Sequence, residues 1–117
     1  MKVGIVGSRK YTDRKAVQNL VKSLKPDDVV VSGGCRGVDT WAEQEARKRR
    51  LGRIIFEPDL SAVRNRGEAA RKYFERNLLI ARECDVLHAF VASDRKGGTE
   101  NTIAHARKLK KPVITHE

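Results

Sequence analysis

Three short stretches of this chain combine glycine with hydroxyl and basic side chains. They are Gly7-Ser8-Arg9, Ser32-Gly33-Gly34-Cys35-Arg36-Gly37 and Gly97-Gly98-Thr99-Glu100-Asn101-Thr102. Without a Cβ the backbone can take positive φ and come close to a phosphate. Where such a turn opens a helix, free N–H groups and the positive end of the helix dipole attract an anion. Ser8, Ser32, Thr99 and Thr102 would add hydroxyl donors, and Arg9 and Arg36 would add charge. The chemistry implied is the binding of a phosphate-bearing small molecule, most naturally a nucleotide. Two standard phosphate fingerprints are absent. Nothing matches GxxxxGK[ST], and Gly4-Ile5-Val6-Gly7 lacks the third glycine of GxGxxG with no helix following at once. Ordinary P-loop NTPases and dinucleotide oxidoreductases are excluded, and no cofactor is expected.

Other residues have two readings each. Asp39 either holds a ribose hydroxyl or base, or is a helix-start carboxylate favoured by the dipole. Arg76 and Asn77 fall on a predicted helix with Asn77 on its apolar stripe, which suggests a helix end facing a cavity; the alternative is an amide bonded to a loop backbone. Glu100 is the one acid of the third glycine turn, hence the candidate general acid or base. Cys35 reads as a small filler more than a nucleophile. His88 and His105 have no ligand partner at metal spacing, and Cys35 and Cys84 lack any CxxC, so neither a metal site nor a disulfide framework is expected. Arg64, Arg66, Arg71, Lys72, Arg76 and Arg82 form a basic stretch, either a phosphate track or a solvated face. Tyr73 and Phe74 within it read as core packing before base stacking.

The elements that must position these residues alternate regularly. Strands are expected at Lys2–Val6, Val29–Val31, Arg53–Phe56, Asp85–Val91 and Pro112–Thr115. Helices are expected over about 12–24, 38–50, 67–83 and 99–109. In the first of these, Val17, Leu20, Val21 and Leu24 form one stripe. Such alternation predicts an α/β Rossmann-like three-layer α/β/α sandwich of five parallel strands, because parallel neighbours need right-handed crossovers. In the order 3-2-1-4-5, the turns after strands one, two and four share a rim outside the strands' carboxyl ends, where ligands lie in such sheets.

The chain's 117 residues suit one domain. Lys and Arg number 25 against 15 Asp and Glu, a net charge of +10 that invites a polyanion partner. The longest apolar runs, Leu78–Ala81 and Ala89–Ala92, are far short of the roughly 20 residues that span a bilayer. No membrane partner and no secretory leader are expected, and a cytoplasmic location follows as the expectation.

Taken together, the three glycine turns, Val38-Asp39 with Trp41-Ala42-Glu43 after the second, Arg76-Asn77, and Lys111-Pro112-Val113 closing the series resemble the SLOG superfamily over nearly the whole chain. The match lies nearest its YspA-like branch. The superfamily also contains the DNA-processing protein A group, which acts on single-stranded DNA in recombination, and the Lonely Guy phosphoribohydrolases of nucleoside monophosphates. The resemblance implies a Rossmann-like fold with a nucleotide-type pocket at the glycine loops. It also implies single-stranded nucleic acid as an alternative partner, and pairing into a homodimer with the third helix as the candidate surface. For the Lonely Guy motif PGGxGTxxE, the glutamate position falls on Ala104, so N-glycosidic cleavage would require Glu100 to act from another place.

Overall fold

A computed structural model describes residues 1–117. Its elements run β1 (Lys2–Gly7), α1 (Arg14–Lys22), β2 (Val29–Ser32), α2 (Val38–Lys48), β3 (Gly52–Ile55), α3 (Arg66–Glu83), β4 (Val86–Phe90), α4 (Gly98–Lys108) and β5 (Val113–His116). The five strands form one parallel sheet in the order β3-β2-β1-β4-β5. No helix is long and apolar enough to cross a membrane.

Period-two alternation divides the core. Val3 and Ile5 of β1, Val30 of β2 and Phe90 of β4 turn to one face, where Val17, Val21, Val38, Ala42 and Ala46 of α1 and α2 cover them. Val6, Val31, Leu87 and Ala89 turn to the other, against Ile80 and Ala81 of α3 and Ile103 and Ala106 of α4. Apolar residues on both faces of the central strands are what a doubly covered parallel sheet requires.

Local chemistry sets the boundaries. The helix expected from residue 12 starts at Arg14 because Asp13 is its N-cap, accepting from Ala16 N at 3.1 Å. Asn65 caps α3 in the same way, accepting from Glu68 N at 2.9 Å. The third strand starts one residue early, at Gly52, and Phe56 N still donates to Ser32 O at 2.9 Å beyond its end.

Two expectations are corrected. Tyr73 and Phe74 are not core: Phe74 is 46% exposed and both line a cavity, because the first half of α3 overhangs the rim of the sheet. His88, thought to lack a partner, lies with its Nδ1 2.9 Å from His116 Nε2. The β4–β5 register pairs Phe90 with His116, which puts the two imidazoles, 28 residues apart in sequence, on one sheet face.

Candidate functional site

The turns after β1, β2 and β4 open on the same rim, and beside them lies a cavity of about 390 Å³. Its wall includes Gly7, Ser8 and Arg9 after β1, Cys35 and Asp39 around the start of α2, and Gly97, Gly98, Thr99 and Thr102 at the start of α4. Helix α3 closes it with Tyr73, Phe74, Arg76 and Asn77. Five predicted ligand residues, Ser32, Gly33, Gly34, Arg36 and Gly37, are not on this wall, nor is Glu100. Lys10 and Lys96 are wall residues that sequence reading missed, although both adjoin the motifs that were singled out.

The glycines play unequal parts. A Cβ on Gly7 would lie 2.6 Å from Val38 Cβ, so this glycine lets the first residue of α2 pack on β1. A Cβ on Gly33 would meet Arg76 Nη1 at 2.6 Å and Asp39 Oδ2 at 3.1 Å. Gly37 and Gly97 differ again, with φ of 86° and 96° and open space around them. They are the N-caps of α2 and α4, and neither helix has a side-chain cap. The first N–H groups of α4 therefore have no capping side chain where they adjoin the cavity.

Arg76, only 6% exposed, joins the walls. Its Nη1 donates to Gly33 O and to Phe56 O, Nε donates to Asn77 Oδ1 at 3.0 Å, and Nη2 lies 3.3 Å from Cys35 Sγ. The guanidinium also stands 5.6 Å from the Tyr73 ring centroid, within cation–π range. Asn77 continues the link, its Nδ2 donating to Gly98 O at 3.3 Å and Asn101 Oδ1 at 3.1 Å. This dipeptide on α3 thus fastens the turn after β2 to the turn before α4.

Asp39 is 5% exposed and accepts from Cys35 N at 3.2 Å. Burial pushes its carboxyl up to about 6, against the opposing pull of the Cys35 N–H and the Arg76 charge. Near neutral pH the site thus holds a carboxylate at one side and Arg9, Arg76 and Lys96 around the rest. Lys10 is there too, ion-paired to Asp94. Two hydroxyls are engaged by the fold: Ser32 Oγ donates to Ile5 O at 2.7 Å and Thr102 Oγ1 to Gly98 O at 3.0 Å. Glu100 pairs with Arg95 at 2.9 Å. The basic stretch divides, since Arg76 is buried, Lys72 pairs with Glu75 at 3.6 Å and Arg64 Nε lies 4.0 Å from Glu68 Oε1. No cluster of three or more His, Cys, Asp or Glu is arranged to hold a metal.

The family model described as DNA recombination-mediator protein A matches residues 1–56, which contain β1, the turn after β2 and all of α2. No curated protein matches the chain. The X-ray structure of DNA processing protein A (DprA) from Streptococcus pneumoniae superposes with a TM-score of 0.79 at 20% identity, over 97% of this chain and 49% of that one. This chain therefore spans about half the length of that protein. A C-terminal domain of a hydrogenase from Pyrococcus furiosus superposes with a TM-score of 0.57 at 10% identity, over 99% of this chain and 91% of that one. This chain therefore has the fold seen in the DprA structure, a parallel sheet in the order β3-β2-β1-β4-β5, and its residues 1–56 resemble the recombination-mediator family.

Proposed function

We propose that the cavity binds a nucleotide or a nucleotide-derived phosphate. The observation that supports this most directly is the convergence of the β1 turn, the uncapped start of α4 and the buried Arg76 on one hollow of about 390 Å³. Backbone N–H groups at a helix start and an adjacent guanidinium suit a phosphate, and a hollow of that size suits a small ligand. Asp39 on the same wall would accept from a ribose hydroxyl or a base amine. Gly97, Gly98, Thr99 and Lys96 would hold the anionic end, with Gly7, Ser8 and Arg9 completing its enclosure. Titration calorimetry with nucleoside mono-, di- and triphosphates tests this: saturable heat that Lys96→Ala weakens supports it, and a folded protein inert at millimolar ligand overturns it.

A second reading, single-stranded DNA at the same rim, is favoured by the match of residues 1–56 to the recombination-mediator family and by the exposure of Phe74 at the cavity. Base stacking on an exposed aromatic tolerates any sequence. This reading expects salt-sensitive binding that weakens in Phe74→Ala and in the Arg64 and Arg66 charge-removal variants. Cleavage of the N-glycosidic bond gains no support from Glu100, which is paired with Arg95 away from the cavity.

A further inference from the structure

The chain has three histidines, and the sheet register brings two of them together. β4 and β5 run parallel with Phe90 opposite His116, so His88 and His116 stand diagonally across the strand pair on one face. His88 Nδ1 lies 2.9 Å from His116 Nε2, with the ring centroids 5.2 Å apart and the planes inclined by 26°. In neutral rings, one facing nitrogen carries a proton and the other a lone pair. Each ring also keeps a second nitrogen on its far side.

The rings are held in place. His116 stacks on Phe90 at 4.3 Å with 13° between the planes. Phe90 is fully buried, and Tyr11 stands edge-on to it at 5.2 Å. Both histidines also belong to a closed ladder, in which Leu87 N donates to Pro112 O at 2.9 Å and Val91 N to His116 O at 2.8 Å. Side chains on strands, locked by packing, define a site more precisely than loop residues do. Solvent still reaches the pair. β5 is an edge of the sheet, both imidazoles are only partly buried, and Ile114, opposite His88, is 45% exposed.

Two imidazole nitrogens on one tetrahedral zinc ion stand about 3.3 Å apart, because each bond is about 2.0–2.1 Å long. The centres of two such rings are about 5 Å apart, as they are here. The rings therefore need to turn but not to separate, and the Cβ–Cγ torsion that turns a histidine is soft. The proton between them passes to the far nitrogen of the ring that carries it. That change of tautomer keeps both imidazoles neutral and frees two lone pairs for one ion.

We propose that His88 and His116 chelate a divalent transition-metal ion of the zinc and copper class, with water filling the remaining positions. Imidazole ligands without a carboxylate favour such ions over Mg²⁺ and Ca²⁺, which take oxygen. An ion bound only to the folded state stabilises it, here by fastening the edge strand to β4. Neither histidine lies on the wall of the nucleotide-type cavity. Failure of this site would leave the reading of that cavity as it stands.

The test uses the full chain without a purification tag, in a buffer that does not coordinate metals, at pH 7.5. Calorimetry with Zn²⁺ should show saturable one-to-one binding at micromolar concentration, and Mg²⁺ should give none. His88→Asn and His116→Asn should each weaken Zn²⁺ binding at least tenfold, whereas His105→Asn should leave it unchanged. Circular dichroism melts confirm that each variant is folded, and Zn²⁺ should raise the melting temperature of the parent alone. Long-range ¹H–¹⁵N NMR of the parent's imidazoles needs no variant. Zn²⁺ should shift His88 Nδ1 and His116 Nε2 as ligands, leave protons on the far nitrogens, and leave His105 unmoved. Unshifted His88 and His116 would overturn the proposal. So would parental affinity in both single variants, equal loss in His105→Asn, or loss on Cys35→Ser, which would assign the ion to the thiol.

Discussion

The guanidinium of Arg76 occupies the space that a side chain on Gly33 would need: an added Cβ would stand 2.6 Å from Nη1. Nothing in φ forbids another residue there, so the constraint is purely steric. Gly33→Ala should push Arg76 off the Gly33 and Phe56 carbonyls and lower stability by about 1–3 kcal/mol, the usual range for overpacking. Gly7→Ala, against the branched Val38, should cost as much or more. Gly98→Ala is the contrast, because its nearest neighbour, Asn77 Nδ2, is 3.6 Å away. Chemical denaturation of the three variants should separate the first two from the last, and equal stabilities would contradict this account.

Replacing Arg76 removes both the link between the turns and the cation nearest Asp39. Arg76→Met fills similar volume yet leaves Asn77 Oδ1 and the Gly33 carbonyl without their donor. A loss of about 2–4 kcal/mol is expected, since breaking a buried charged network strands its remaining partners. The Asp39 titration should also move upward, which carbon-detected NMR of its carboxyl can follow.

Asp39 gives a pH dependence with a definite sign. Its carboxyl titrates at about 6 in the fold against 3.8 when unperturbed. Between those values the folded state binds a proton that the unfolded state does not, so stability falls as pH rises from about 4 to about 6, then levels off. The full swing is on the order of 3 kcal/mol. Asp39→Asn should abolish that contribution and be the more stable protein at pH 7.5; a parent and variant with parallel stability curves would exclude it.

The His88–His116 pair tilts the other way. Burial pushes both imidazoles below their ordinary 6.5, with His116 a further cause for His88. Their folded pKa values being lowered, the unfolded chain takes up protons first, and stability falls as pH drops below about 6.5. A second proton on the pair would also face two cations across 2.9 Å. Amide protection in β5 should therefore decrease towards pH 5. His116→Phe, which keeps the stacking on Phe90 seen at 4.3 Å, should lessen the decrease, leaving the part that burial of His88 contributes. Protection that falls equally in both proteins would show that the pair is not responsible.

Phe74→Ala separates the two ligand readings. With the ring 46% exposed, its loss should leave the melting temperature nearly unchanged. If a base stacks on it, affinity for a single strand should fall by about 1–3 kcal/mol, while affinity for inorganic pyrophosphate should stay the same.

By itself the sequence determined the element order and the layering, because runs such as Val29-Val30-Val31 and the Val17, Leu20, Val21 stripe carry their periods in neighbouring residues; the strand order it only made the expected one. It also marked the glycine turns, whose backbone demands are local. Tertiary structure alone decided what each glycine is for: Gly7 admits Val38 and Gly33 admits Arg76, contacts between residues 31 and 43 positions apart. It likewise paired His88 with His116 across β4 and β5. The physical reason is common to all of these. Periodicity reports which face of an element is buried, whereas steric complementarity and charge pairing depend on which distant element arrives there, and that is settled only when the whole sheet closes.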